Sequence, residues 1–175
     1  MALREDQAVY PTLIRLSACL CAELEKAEGP ALCYCGPIAG PLVLDFCGGD
    51  CGGDGCGGQA WVRVTEIFPS SSFPSPEQLP RNCGSPLAYN LEIGVARCAP
   101  TGEGNGIDGY SPPTLEQNVE ALRLQMTDMA AVRRAVQCCF GVGEADYILG
   151  QYSQIDVSQG GCLGGSFIVT VWEEF

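Results

Sequence analysis

The chain contains no histidine and a single lysine, Lys26. Without an imidazole there is no Ser-His-Asp or Cys-His pair to shuttle the nucleophile's proton, and no H-E-x-x-H zinc protease. The shortage of cations counts against adhesion to nucleic acid. Nine Lys and Arg face 21 Asp and Glu, a formal charge of −12, and phosphate neutralisation needs clustered cations. No G-x-x-x-x-G-K-[ST] phosphate loop is present, and the glycine-rich stretch does not precede a helix, so a dipole-assisted phosphate cradle has no support. No apolar run reaches about 18 residues, so no membrane span is expected. The start, MALREDQAVYP, places acids where a signal peptide is basic and then apolar, and secretion by that route is not expected.

What the chain does have is cysteine and glycine, 12 and 23 respectively, in 175 residues that suit one domain. Its hydrophobic fraction of 46% is ample for a core. Inside a cell the cysteines would be buried small hydrophobes or free thiols, whereas in an oxidising exterior some would pair. Cys19/Cys21 and Cys33/Cys35 are one residue apart and Cys138-Cys139 are adjacent, none of which is the C-x-x-C of redox or zinc sites. The acidity reads first as serving solubility, and it also permits DNA to slide past without sticking.

The stretch DFCGGDCGGDGCGGQAWVRVTEIF, from Asp45 to Phe68, organises the rest. Its second half alternates as a strand does, with Ala60, Val62 and Val64 on one face and Trp61, Arg63, Thr65 and Ile67 on the other. The apolar run Pro41 to Phe46 is the natural antiparallel partner, which makes 47–58 a hairpin tip far longer than the turn requires.

Around that stretch the periodicity predicts a helix over 8–27, carried by Leu13, Leu16, Leu20 and Leu24 and stopped by Gly29-Pro30. A short strand over 31–35 follows. The proline- and serine-rich segment 69–86 reads as an exposed excursion without regular structure. Leu87 to Ala99 has the clearest period of two in the chain and predicts a central strand. Pro112-Pro113 then precede a capping box, Thr114-Leu-Glu-Gln117, which opens a helix of about 26 residues and roughly 39 Å. Its apolar stripe, Leu115, Val119, Leu122, Met126, Met129, Val132, Val136 and Phe140, predicts core contact along the whole helix. Strands over 146–157 and 166–174 complete the order α, β, β, β, α, β, β. With no βα alternation, this predicts an α+β fold: one domain over 1–175, a mostly antiparallel sheet, a short N-terminal helix and one long helix packed on it, and extended loops at 47–58, 69–86 and 100–113.

Candidate chemistry is sparse. Cys47, Cys51 and Cys56, with Cys83 or Cys162 as a fourth sulfur, could hold zinc or an iron–sulfur unit; free thiols and a disulfide are the alternatives. Asp45, Asp50 and Asp54 miss the spacing of a calcium loop. Trp61, Arg63, Ile67, Ile168 and Trp172 form either ordinary second-face core or a contact surface for another subunit, where tryptophan and arginine are the enriched anchors. No cofactor and no enzymatic activity are expected.

Several motifs taken together resemble the tail terminator proteins of long-tailed actinobacteriophages. They are CGG…GCGGQAWVRV…IFPS…FP, a long helix opened by PPT, and a terminal GGCLGGSFIVTVWE strand. The likeness runs over most of the chain, and the cysteine load is its main departure. It implies a ring, usually a hexamer, in the virion at the head–tail junction. Such a ring caps the tail tube, halts its polymerisation and meets a head-side connector, after assembly in the host cytoplasm, and the family has no active site to carry over. DNA would pass through its lumen without specific binding, with Asp50, Asp54, Glu103 and Asp108 as the candidate channel-lining acids. The rival readings are a head-completion adaptor of the neck and a cysteine-rich metal-binding protein.

Overall fold

The helix best specified by the sequence is also the longest element. In the computed structural model, which describes residues 8–27, 29–44, 56–77, 86–100, 112–141, 146–155 and 161–173, α2 spans Leu115–Phe140. The Thr114 hydroxyl accepts from the Gln117 amide at 3.2 Å, and the Gln117 side chain accepts from the Thr114 amide at 2.7 Å. Two otherwise orphaned donors are thereby satisfied at an end with little tertiary support. Thr114→Ala is expected to cost about 1 kcal/mol in a urea titration and to speed amide exchange in the first turn of α2. Gly141, at φ 54°, ends the helix.

The first helix, α1, spans Val9–Glu25 and runs antiparallel to α2: Cys19 is bonded to Cys139, and Glu23 accepts from Arg134 at 3.1 Å. Both helices lie on one face of a five-stranded sheet made of β1 (Tyr34–Pro37), β2 (Gln59–Pro69), β3 (Leu87–Cys98), β4 (Asp146–Gln154) and β5 (Cys162–Glu173). The strand order is β1-β2-β3-β5-β4, with only the β1–β2 pair parallel. The fold is therefore α+β with a mostly antiparallel sheet, as expected. The central strand β3 sends Tyr89, Leu91, Ile93 and Val95 into the helix side, where they meet Leu16, Leu20, Val132, Val136 and Val169 in one continuous core.

Two expectations about the strands are corrected. The partner of β2 is not Pro41 to Phe46. Its two edges are taken by β1 and β3, and the described part of that run, 41–44, crosses the back of the sheet. There Leu42 and Leu44 pack over Trp61, and Gln59 Nε2 donates to the Val43 carbonyl at 2.9 Å. The proline-rich excursion is exposed and irregular over its described residues 71–77, as expected, and it is fastened to the sheet end at Ser70. Ser70 is buried, its amide donates to the Pro86 carbonyl, and its own carbonyl accepts from Trp172 Nε1 at 3.0 Å. Finally, β2 carries a bulge between Val64 and Glu66, so that Glu66 pairs with Asn90 and Ile67 with Tyr89. One extra residue reverses the side-chain parity, and Ile67 points to the helix side rather than sharing a face with Trp61 and Arg63.

Two glycines are dictated by close approach. Gly58 has φ 104°, and a Cβ there would sit 2.1 Å from the Ala96 carbonyl oxygen. At Gly94 a Cβ would fall 2.6 Å from Trp61 Cζ2, so its absence lets the indole lie flat on the neighbouring strand.

Disulfides tie these layers together. Cys19–Cys139 joins the helices, Cys21–Cys35 joins α1 to β1, and Cys33–Cys56 joins the approach of β1 to that of β2. Their Cα separations, 6.0, 5.8 and 5.1 Å, lie in the ordinary range for such bonds. Cys98 and Cys162 are also disulfide-bonded, while Cys138 is free and exposed.

Candidate functional site

The back of the sheet, opposite the helices, divides into two zones. In the first, Trp61, Ala96 and Cys162 are covered by Ile38, Leu42, Leu44, Cys98 and Ile155. Trp61 is fully enclosed by its own chain, and its Nε1 has no hydrogen-bond partner. Its burial is that of second-face core. The second zone is polar. Arg63 Nε donates to Glu92 at 2.7 Å and its Nη1 to the Gly40 carbonyl at 3.1 Å, while Asn90 donates to Glu66 and accepts from Thr170. Trp172 closes this zone through its bond to Ser70. Trp61, Arg63, Ile168 and Trp172 thus share a face, each engaged within the subunit or partly covered, and Ile67 stands apart on the other side, exposed.

The cysteine trio is not assembled as a sulfur site in the described part of the chain. Cys56 is spent on Cys33 and offers no thiolate to a metal. Cys47, Cys51 and Cys83 lie outside the described residues, as do Asp45, Asp50, Asp54, Glu103 and Asp108. Among the described residues no group of three Cys, Asp or Glu stands close enough to hold a metal ion.

Two buried polar constellations were not anticipated from the sequence. Arg97 on β3 and Asp128 on α2 form a bidentate pair, Nε to Oδ2 at 2.6 Å and Nη2 to Oδ1 at 3.0 Å, with side chains only 7% and 2% exposed. The remaining Nη1 donates to the Pro30 carbonyl, which pins the turn after α1. A cleft of about 380 Å³ beside Arg97 is lined by Leu24, Ala27, Pro30, Leu32 and Cys35. Among the described residues its two charged lining residues are Glu25 and Arg97, and Arg97 is committed to Asp128 and to the Pro30 carbonyl. At the opposite end of the sheet, the Tyr89 hydroxyl and Thr12 Oγ1 both donate to Glu173 Oε1, at 2.7 and 3.1 Å. Burial pushes the Tyr89 phenol far above its ordinary value, so it acts as a permanent donor tying β3 to β5 while Thr12 brings in α1.

The helix layer supplies the exposed apolar surface. The stripe on α2, expected to be core throughout, is core only from Met129 onward; Leu115, Val119, Leu122 and Met126 are 49–76% exposed. The reason is the offset between the helices. With Cys19 bonded to Cys139 and Glu23 meeting Arg134, the end of α1 at Glu25 falls level with about Val132, so the first half of α2 extends beyond it without α1 beside it. The overhang projects past the end of β3, above a groove lined by Ala99, Pro100, Leu122 and Leu163. Contiguous exposed apolar surface of this kind is a feature of contact sites in general. No signal in the sequence pointed to the overhang, because the offset is fixed by contacts between residues more than 100 apart in the chain.

Compared with models of known protein families the chain matches none, and no curated protein matches it.

Proposed function

We propose that the protein is a virion structural component, a tail terminator that assembles head to tail into a ring, caps the tail tube and presents a surface to the head-side connector. The observation that carries this reading is the overhanging apolar stripe of α2, where four large apolar side chains stand exposed in a row. The motifs around Cys47 to Ser70, Pro112 to Thr114 and Gly160 to Glu173 support it by resemblance. The net charge of −12 suits a lumen through which DNA slides without specific binding. Its partners would be further copies of itself, the tube protein and a connector, with no membrane. The disulfides fit a part assembled in a reducing cytoplasm and used in a particle released to oxidising surroundings.

The test is the particle mass by sedimentation together with a projection image. A closed ring of about six copies is expected. A ring of twelve would replace this reading with that of a neck adaptor, and a monomer at all assembly concentrations would end both. About one zinc or iron per chain in a metal analysis would favour the metal-binding reading instead.

A further inference from the structure

Residues 33–44 form a strap that begins as the edge strand β1 and then turns across the back of the sheet, where Ile38, Leu42 and Leu44 cover Trp61. Its non-covalent hold is slight. β1 has four residues, includes Gly36 and Pro37, and pairs with β2 in parallel, the less stable arrangement per residue. Further along, the Ile38 amide donates to the Val62 carbonyl at 3.0 Å, and Gln59 and Arg63 donate to the Val43 and Gly40 carbonyls. Against the helix layer the packing is incomplete. The cleft of about 380 Å³ lies between the end of α1 and the start of the strap, with Leu24 and Ala27 on one side and Leu32 on the other. Two covalent bonds span what the side chains leave open. Cys35, on the wall of that cleft, is joined to Cys21 on α1, and Cys33 is joined to Cys56 at the approach of β2, so both bonds fasten the same end of the strap.

We infer that the strap is a redox-controlled cover, closed while Cys21–Cys35 and Cys33–Cys56 are intact and lifted from β2 and Trp61 when a soluble dithiol reduces both. In each reduction the dithiol's two thiols become a disulfide, its two electrons and two protons pass to the cysteine pair, and two cysteine thiols result. Access selects these bonds. All four of their cysteines are half-buried, whereas Cys139, in the bond between the helices, is 5% exposed. What lies beneath favours release, because Trp61 is fully buried with no partner for its Nε1 donor, and water reaching that donor restores its hydrogen bond. The Arg97 bond to the Pro30 carbonyl keeps the preceding turn in place as the fixed point about which the strap swings. Opening is local, since Cys19–Cys139 and the core under the two helices stay as they are. The lifted state presents the outer edge of β2 and the apolar zone around Trp61, both concealed in the oxidised protein. None of this depends on the ring reading above.

The test steps the full oxidised chain through increasing dithiothreitol, with alkylation and mass mapping of the bonds at each step. Cys21–Cys35 and Cys33–Cys56 are expected to open before Cys19–Cys139. At that stage amide exchange across 33–44 is expected to quicken about tenfold or more while β3 keeps its protection. Trp61 is followed in a Trp172→Phe background, where it is the only tryptophan, and its emission is expected to shift to the red with a roughly threefold gain in acrylamide quenching. A variant combining Cys21→Ser, Cys33→Ser, Cys35→Ser and Cys56→Ser is expected to show the same changes without reductant, which separates these two bonds from all the others. Bond mapping and exchange are read on the unaltered chain, so neither variant has to fold for the inference to fail. Unchanged exchange over 33–44 with both bonds open would mean that the strap stands without them. Equal quickening in 33–44 and β3 would make the bonds general supports of the fold, and a Trp61 that stays unquenched would mean that the strap does not uncover it. Any of these results, or Cys19–Cys139 opening first, overturns the inference.

Discussion

Replacing Cys19 and Cys139 together by alanine is expected to lower the unfolding free energy by about 3–5 kcal/mol. The two residues are 120 apart in sequence. A bond closing a loop of about 100 residues removes on the order of 4.7 kcal/mol of chain entropy from the unfolded state, if native geometry is unstrained. The bridges at separations of 14 and 23 residues close much shorter loops and contribute about 3 kcal/mol each in the same treatment. These contributions do not add, because the closed loops overlap. What the long bridge does structurally is as important as its size: it fixes the level at which α1 lies along α2, and so the length of the α2 overhang. Urea titrations of the oxidised protein, the double variant and the protein in reductant measure the effect. Coincident midpoints in all three would show that the bridges do not hold in solution, and the location in an oxidising particle would lose its support.

Asp128→Ala is expected to cost about 3–5 kcal/mol, whereas exchanging the pair together, Arg97→Met with Asp128→Leu, is expected to cost far less or to be neutral. The asymmetry follows from solvation. With side chains 7% and 2% exposed, neither charge can be rehydrated when its partner is removed. An Arg97 deprived of Asp128 keeps its charge, because guanidinium does not deprotonate in proteins, and the Pro30 carbonyl alone remains to it. Removing both groups at once removes the desolvation penalty along with the attraction. The double-mutant cycle in urea gives the coupling. A single-variant loss below about 1 kcal/mol would mean that water reaches the pair and that it is not buried in solution.

Much of the fold is legible along the chain. The capping box of Thr114, the period of two in Leu87 to Ala99 and the leucine spacing of α1 all rest on near neighbours, and each appears where those neighbours dictate. Features that depend on distant partners are not legible in this way. Ile67 changes face because a single bulge at Val64/Glu66, set by the register against β3, inverts the parity of everything after it. Asp128 lies off the apolar stripe and reads as a solvated charge until β3 places Arg97 beneath it.

The sequence by itself determined the class of the fold, the two helices with their ends, the central strand and the poverty of proton-transfer groups, because composition and short-range periodicity are properties of the chain alone. Only the tertiary structure decided which apolar residues are covered, which cysteines meet and on which face each strand residue points. Those depend on the offset between antiparallel helices and on strand register, quantities that arise when segments far apart in the chain are brought side by side.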